Sequence, residues 1–287
     1  MKENLQGKVC LITGATNGIG EEAAKQIALM GAEIVFIARS PAKAEELKQS
    51  LKSLTGRESI SIIADLSSQE DVKRAASEFL SMNKPLNILL NNAGIMNTSR
   101  KETVDGLEEV FSVNHLAYYS FTLMLINKLI ESGPSRVVNV ASGAHMFVKD
   151  MNFDDLQSEK EYKTMQVYGR SKLANILFTR ELAERLEGKG VTVNCLHPGF
   201  VNTGIGSNNS PTMGRILMTL ARPFSRKTDK GAETSIYLCV SPEVENETGE
   251  YFYDCKKEKI SAAASDKENA TKLWEVSSKL TGIDLLD

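Results

Sequence analysis

The chain has 287 residues, of which 41% are hydrophobic, and its 34 basic residues nearly balance its 37 acidic residues. This length and apolar content suffice for a substantial core in one large α/β domain. The balanced charge gives no electrostatic reason to expect nucleic acid as a partner. Because the amino-terminal segment is polar and no stretch approaches the roughly 18 apolar residues of a membrane-spanning helix, we expect an unprocessed cytoplasmic protein with no transmembrane segment.

Short apolar runs alternate along the chain with amphipathic segments of helix length. The predicted strands are Val9–Ile12, Ile34–Ala38, Ile60–Ala64, Ile88–Leu90, Val137–Val140 and Val191–Leu196. The predicted helices between them are Gly20–Met30, Ala42–Leu54, Gln69–Leu80, Gly106–Ile130 and Val167–Leu186. Helices that connect parallel strands cover both faces of a sheet. We therefore predict a single doubly wound α/β domain over residues 1–287, with a mostly parallel sheet of about seven strands.

The carboxyl-terminal third departs from this alternation. Over roughly residues 200–228 the pattern breaks, and we predict a small helical insertion that serves as a lid over a pocket. The aromatic run Tyr251-Phe-Tyr253 is typical of a strand, and a last helix is predicted around Glu268–Leu280.

The sequence offers no recognisable metal site. Its three histidines fall on separate predicted elements, and its cysteines lack the paired spacing of metal ligands. The cysteines are Cys10, Cys195, Cys239 and Cys255. We predict metal-independent chemistry and thiols that stay reduced.

A glycine-rich turn, Thr13-Gly-Ala-Thr-Asn-Gly-Ile-Gly20, connects the first strand to the first helix. Glycines at this place let the backbone approach a pyrophosphate at the helix amino terminus. The spacing Gly-x-x-x-Gly-x-Gly differs from the generic dinucleotide pattern, and a plain tight turn is the alternative. The strand before it and the helix after it favour a dinucleotide cofactor.

The second predicted strand ends at Ala38-Arg39-Ser40, where cofactors that lack a 2′-phosphate usually meet an acidic residue. A guanidinium stands there instead, with Lys43 one turn further on, and a guanidinium suits a phosphate. We therefore predict that NADP(H) is preferred and that NAD(H) is possible. The alternative is a solvated arginine at a strand end.

Tyr168 and Lys172 are four residues apart in a predicted helix, so they share one face. A lysine cation beside a phenol favours the phenolate and lowers a pKa that is ordinarily about 10. Such a tyrosine can give or take a proton. Tyr253 and Lys257 have the same spacing, but they follow a strand pattern and are not neighbours across a helical turn.

Polar turn residues follow three further strands at the edge where ligands of parallel sheets collect. They are Asn91-Asn-Ala-Gly94, Ser142 and Pro198-Gly199. Each alone is compatible with an ordinary turn. Asn114 lies inside a predicted helix, which is an unfavourable place unless its side chain finds a partner there.

Together these motifs resemble, in order and spacing, the short-chain dehydrogenase/reductase family over nearly the whole chain. The stretches Arg136–His145, Tyr168–Phe178 and Asn194–Val201 resemble its retinol dehydrogenase branch, which includes NADPH-preferring retinal reductases. Animal members of that branch generally carry an apolar membrane anchor before the glycine motif, and we expect none here because few residues precede Thr13. The resemblance implies an NAD(P)-binding Rossmann fold.

The resemblance also implies roles for individual residues. Ser142 would bond the carbonyl oxygen, Tyr168 would supply the proton, and Lys172 would lower the tyrosine pKa and hold the nicotinamide ribose. Asn114 would steady a water relay. The expected cofactor-binding residues, with Arg39 and Ser40 suggested by the second strand, are Gly14, Asn17, Gly18, Ile19, Gly20, Arg39, Ser40, Asp65, Leu66, Asn92, Ala93, Gly94, Tyr168, Lys172, Pro198, Gly199, Val201 and Thr203. The expected substrate pocket is Ser142, His145, Met146, Phe147 and Tyr168.

The implied activity is hydride transfer between NADP(H) and a small lipophilic aldehyde or ketone, or its alcohol, such as retinal or retinol. One alternative is an NAD-linked alcohol or steroid dehydrogenase. Another is a non-catalytic NADP-binding module that senses redox state. Family members often pair through their long helices, so the resemblance also implies a possible homodimer or homotetramer.

Overall fold

The structure is a computed structural model that describes residues 3–199 and 227–285. Within these ranges one sheet has the strand order β3-β2-β1-β4-β5-β6-β7-β8. The strands are β1 Val9–Thr13, β2 Glu33–Ala38, β3 Ile60–Ile63, β4 Ile88–Asn91, β5 Ser135–Val140, β6 Val191–Leu196, β7 Tyr251–Tyr253 and β8 Lys256–Lys257. All neighbouring pairs are parallel except β7 and the two-residue β8. The predicted α/β fold with a mostly parallel sheet is confirmed.

Helices connect the parallel strands, as the alternating pattern predicted. They are α1 Gly18–Leu29, α2 Pro41–Thr55, α3 Gln69–Ser81, α4 Glu109–Phe111, α5 Ala117–Glu131, α6 Thr164–Arg185, α7 Thr228–Val240, α8 Ala262–Ser265 and α9 Lys267–Thr281. Their ends have local causes. Ser40 accepts a hydrogen bond from the Lys43 amide at the start of α2, and Gly56 ends that helix in the left-handed conformation.

Alternating side chains along the strands divide the core between the two faces of the sheet. In β1, Val9 and Leu11 join the cluster that α3, α5 and α6 cover, whereas Cys10 and Ile12 join the cluster under α1, α2 and α7. Each fully buried aliphatic or aromatic side chain of this kind stabilises the fold by about 1.5–3 kcal/mol. A one-residue slip in register would therefore expose a whole set of them.

The predicted helix Gly106–Ile130 is divided in the structure. The Glu108 carboxylate accepts hydrogen bonds from the amides of Val110, at 3.0 Å, and Phe111, at 2.7 Å, so the helix begins after it. A π-helical segment, Ser112–Leu116, then joins α4 to α5. Segments of this kind add one residue to a turn, and they are frequent at functional sites.

Most of the predicted lid, residues 200–226, lies outside the described residues. The single domain over residues 1–287 stays a prediction. Among the described helices, none is long and apolar enough to cross a membrane.

Candidate active site

The carboxyl ends of β1, β4, β5 and β6 lie side by side, because these strands are parallel neighbours in the sheet. They lead into Gly14, Asn92, Ala141-Ser142 and His197-Pro198, respectively. Segments that are far apart in sequence thereby form one edge of the molecule. Ligands of open parallel sheets bind at such an edge.

Thr13 ties the glycine turn to the loop after β4. Its hydroxyl oxygen accepts hydrogen bonds from the backbone amides of Asn92, at 2.9 Å, and Ala93, at 3.1 Å. The Asn92 side-chain amide returns bonds to the carbonyls of Thr13 and Gly14, at 3.1 and 3.0 Å. The Asn92 amide group thus supports the turn, and the cofactor contact expected of Asn92 stays a prediction. Sequence reasoning missed Thr13, whose signal is a polar residue at the end of an apolar run.

The turn itself is shaped for close approach. Gly14 has φ +67°, and a Cβ on it would lie 2.8 Å from the Ala93 Cα, so no other residue fits there without displacement. Asn17 precedes α1 and makes no side-chain capping bond within the described chain. The first amides of α1 therefore lack the usual side-chain acceptor, which is the arrangement that suits an anion at a helix amino terminus.

Lys172 is buried, with 3% of its surface exposed, and its ammonium donates to the Val140 carbonyl at 3.0 Å. Burial lowers its pKa from 10.5 to about 7, because the charged form loses hydration. Beside it, a Cβ on Gly94 would come within 3.3 Å of Nζ. The absence of a side chain at Gly94 therefore leaves space next to the ammonium.

Tyr168 and Ser142 lie close to one another, since the Ser142 side chain acts on the pKa of the tyrosine. The Lys172 Nζ lies over the Tyr168 ring, 5.8 Å from its centroid. Burial raises the pKa of Tyr168 and the Ser142 side chain lowers it, with burial the larger effect. In the protein alone, the expected lowering of this pKa by Lys172 is therefore not found. Desolvation disfavours the phenolate of Tyr168, and it disfavours the ammonium form of Lys172 as well.

Asn114 has the partner that its place in a helix required. It lies in the π-helical segment and is fully buried. Its amide oxygen accepts from the Ile95 amide at 2.7 Å, and its amide nitrogen donates to the Ile95 carbonyl and the Ser171 hydroxyl, both at 2.9 Å. These bonds hold the loop after β4 against α6. The water relay expected of Asn114 stays a prediction, and Ser171 is a partner that sequence reasoning missed.

The expected substrate-pocket residues divide into two groups. Met146 and Phe147 are 58% and 71% exposed beside Ser142. His145 is only 1% exposed, and its Nδ1 is 2.8 Å from the Ser142 carbonyl oxygen while Nε2 accepts from the Ser261 amide at 3.4 Å. Both ring nitrogens of His145 are used within the chain. The placement of His145 in the pocket is therefore corrected to a buried support behind Ser142.

The structure places the other expected cofactor residues as follows. Arg39 is exposed at the end of β2, whereas the Ser40 hydroxyl is occupied in capping α2. One Asp65 carboxylate oxygen accepts from the Ser67 amide at 3.0 Å within its own turn, and Leu66 is 9% exposed.

Three expected cofactor residues, Ile19, Gly18 and Gly20, lie in the first turn of α1, and Ile19 is buried. Val201 and Thr203 lie outside the described residues.

His197 holds the backbone in place at the start of the Pro198-Gly199 segment. Its ring stacks on Tyr253, with 4.0 Å between centroids and 9° between planes, and its Nδ1 accepts from the Gly199 amide at 3.2 Å. Tyr253 lies in a strand, β7, as its pattern predicted, and Lys257 lies in β8, the antiparallel partner of β7.

Other candidate sites are distant or lacking in the described part of the chain. In residues 3–199 and 227–285, no three His, Cys, Asp or Glu side chains are grouped to hold a metal ion. A cavity of about 720 Å³ opens at the opposite edge of the sheet, lined by residues such as Asn87, Arg136 and Thr192 at the amino ends of strands. It contains none of Ser142, Tyr168 and Lys172.

The sequence model of the family described as short chain dehydrogenase matches residues 8–214. The chain belongs to the short-chain dehydrogenase family. It is 41% identical over 280 residues to retinol dehydrogenase 12 of Mus musculus, covering 97% of this chain and 88% of the relative. This similarity confirms the resemblance to the retinol dehydrogenase branch, and the family makes the protein an oxidoreductase.

Solved structures agree with the fold. A protein of Mycobacterium paratuberculosis superposes with a TM-score of 0.81 at 26% identity, covering 99% of this chain and 97% of that one. A short chain dehydrogenase of Burkholderia cenocepacia in complex with NADP has a TM-score of 0.70 at 28% identity, with coverages of 87% and 97%.

Proposed function

We propose that the protein is an NADP(H)-dependent oxidoreductase that interconverts a lipophilic aldehyde or ketone, such as a retinal-like compound, and its alcohol, with Tyr168 as general acid and base. One observation carries this proposal. Ser142, Tyr168 and Lys172 converge at the sheet edge that also bears the glycine turn. Membership of the short-chain dehydrogenase family also supports the oxidoreductase class.

The residues present fit a dinucleotide. The uncapped start of α1 and the glycine turn would hold the pyrophosphate, Arg39 would meet a 2′-phosphate, and the open space at Gly94 would lie beside the ribose. Bound nicotinamide would supply a two-electron reducing equivalent as hydride to the carbonyl carbon. The likeness to a dehydrogenase solved with NADP supports this choice of cofactor.

Two hydroxyl groups of the chain would transfer the proton and stabilise the charge that develops during the reaction. As the carbonyl is reduced, negative charge builds on its oxygen, where the neighbouring Ser142 and Tyr168 hydroxyls can donate hydrogen bonds. Tyr168 then gives its proton to that oxygen, and Lys172 in its charged form favours the tyrosinate that results. In alcohol oxidation the same groups take the proton back.

A lipophilic substrate is supported by two side chains of the short 3₁₀ helix, Gly143–Phe147, that begins directly after Ser142. Met146 and Phe147 keep more than half of their surface exposed although they are large and apolar. Such side chains normally avoid water, and beside a reaction centre they suit an apolar ligand. The similarity to mouse retinol dehydrogenase 12 agrees with this substrate class.

The first test is Tyr168→Phe, assayed by NADPH consumption with a panel of aldehydes and ketones. We expect turnover to fall by about 10²–10⁴-fold, the usual contribution of general acid–base catalysis, with NADPH binding retained. Undiminished turnover in a variant that binds NADPH normally would contradict the proposed mechanism. Binding of NADPH without turnover of any carbonyl by the wild type would favour a non-catalytic cofactor-binding module.

The second test concerns cofactor choice. Because Arg39→Asp replaces a phosphate-binding cation by an anion, we expect NADPH affinity to fall by at least about tenfold and NADH affinity to hold or rise. Lys189→Asp, a charge reversal at an exposed residue shortly after α6, is the control and should leave both affinities unchanged. Equal NADPH affinity in wild type and Arg39→Asp would identify Arg39 as a solvated surface residue, and a wild-type preference for NADH would point to an NAD-linked dehydrogenase.

A further inference from the structure

Tyr118 is a buried aromatic residue that the mechanism above does not use. It lies in α5, four residues after Asn114, and is 1% exposed. The Lys172 Nζ lies over its ring, 5.7 Å from the centroid, a distance nearly equal to the 5.8 Å that separates Nζ from the Tyr168 ring. One ammonium thus faces two aromatic rings within the range of a cation–π interaction.

The Tyr118 ring is held in place by its hydroxyl, which donates to the Ala93 carbonyl at 2.7 Å. That carbonyl belongs to the loop after β4, so the ring connects this loop to α5. Burial raises the pKa of Tyr118 well above its usual range, because a phenolate there would lack hydration. Tyr118 therefore presents a neutral ring face to Lys172.

The other groups that face Lys172 do not supply an opposite charge. They are the Val140 carbonyl of β5 and Tyr168 of α6, and the Asn114 amide oxygen borders the same space at Gly94 as Nζ does. Within residues 3–199 and 227–285, no carboxylate acts on the lysine, and desolvation alone shifts its pKa. Few contacts in the described chain therefore favour the charged form of Lys172, so each one contributes a larger share of the stabilisation of that form.

We propose that Tyr118 is a positioning residue for the reaction, whose ring face stabilises the ammonium form of Lys172 so that this cation is available beside Tyr168. The contacts just described support the effect of the Tyr118 ring on the ionisation of Lys172. Its consequence for turnover rests on the proposed function, in which charged Lys172 assists Tyr168.

The test replaces Tyr118 by phenylalanine and then by mono-, di- and trifluorinated phenylalanines. Fluorines withdraw electron density from the ring face and weaken its attraction for a cation while its size hardly changes. The ionisation of Lys172 is followed directly by NMR of carbon-13-labelled lysine side chains, with the signal assigned by its loss in Lys172→Met. We expect phenylalanine to keep the pKa of Lys172 near 7 and the trifluorinated ring to lower it by roughly 0.5–1.5 units, in steps.

The same series at Tyr119 is the matched control. Tyr119 is the next residue, is fully buried, and packs against Trp274 at 5.1 Å between centroids. Fluorination there should leave the Lys172 titration unchanged. An unchanged titration through the Tyr118 series would overturn the proposal. A full decrease already at Tyr118→Phe would also overturn it, since the hydroxyl and not the ring would then be responsible.

A second readout separates this inference from the proposed function. If both hold, the alkaline limb of the pH profile for carbonyl reduction moves to lower pH by the same amount as the Lys172 titration, because the cation is lost earlier. A shifted titration with an unmoved profile would support the effect of the ring on Lys172 and would overturn the role of Lys172 in turnover.

Discussion

At the scale of single residues, Gly20 shows what a missing side chain contributes. A Cβ at Gly20 would lie 2.4 Å from both the Asn92 side-chain nitrogen and the Gly14 carbonyl oxygen. Those two atoms are themselves hydrogen-bonded at 3.0 Å, and their bond ties the glycine turn to the loop after β4. Gly20 was expected to face cofactor phosphates, but its neighbours show that it permits the close packing of α1 against this bond.

We predict that Gly20→Ala lowers the free energy of unfolding by about 1–3 kcal/mol, the usual cost of an added methyl group in a packed site. NADPH affinity should fall as well, because the turn must shift. Urea unfolding and cofactor titration measure the two effects.

The control is Gly56→Ala, where no atom lies within 4 Å of the added Cβ and only the left-handed φ of +71° opposes it. This variant should lose some stability and keep its NADPH affinity. Wild-type stability and affinity in Gly20→Ala would refute the packing argument.

At the scale of elements, the π-helical segment joins the active site to the carboxyl-terminal helix. Asn114 faces the site, and the adjacent His115 turns the other way, with its Nε2 2.9 Å from the Ser277 hydroxyl of α9. The His115 ring packs against Phe111 and Phe178, at 5.1 and 6.0 Å between centroids. The extra residue of the π turn allows consecutive side chains to serve both partners.

Burial lowers the pKa of His115 from 6.5 to about 3. Between these values the unfolded chain binds a proton that the folded chain does not, so stability falls as the pH falls. Between pH 7 and pH 5 this one group should cost about 2 kcal/mol of unfolding free energy.

His115→Phe removes the titrating group. We expect a lower stability at pH 7, since the Ser277 hydroxyl loses its partner, but a loss on acidification that is smaller than that of the wild type by about 2 kcal/mol. The test is to measure the free energy of unfolding of both proteins with urea at pH 7 and at pH 5. Equal losses of unfolding free energy in the two proteins would show that His115 does not titrate between these pH values.

At the scale of the whole molecule, the sheet separates the candidate active site from the hydrophobic core. Its carboxyl edge carries the polar loops, and its two faces bury the apolar side chains, including the thiols of Cys10, Cys195 and Cys239, which are at most 2% exposed. Burial raises the pKa of each of these thiols, to about 12 in Cys195 and Cys239. Cys255 is partly exposed.

We therefore predict that a thiol reagent modifies one cysteine, Cys255, in the native protein, and all four after unfolding in denaturant. Cys255→Ser should abolish the native reaction. Rapid modification of Cys10, Cys195 or Cys239 without denaturant would mean that the core opens locally far more often than its packing indicates.

Particular residues show how far prediction from the sequence reached. Local patterns predicted that Asn114 needs a hydrogen-bond partner. The spacing of the family motifs predicted that Ser142 lies near Tyr168. His145 was misplaced because one of its partners, the Ser261 amide, is 116 residues away from it in the chain. Thr13 and Tyr118 were missed because their roles depend on contacts with Ala93, which lies 80 and 25 residues away.

The sequence by itself determined the alternation of strands and helices, the parallel sheet and the family, because these depend on periodicity and on the order of motifs. Only the tertiary structure decided how the active-site groups ionise. Desolvation raises the pKa of Tyr168 and lowers that of Lys172, and it results from burial by segments that folding brings together from distant parts of the chain. Local spacing identifies which side chains can meet, and the surrounding protein sets their charge.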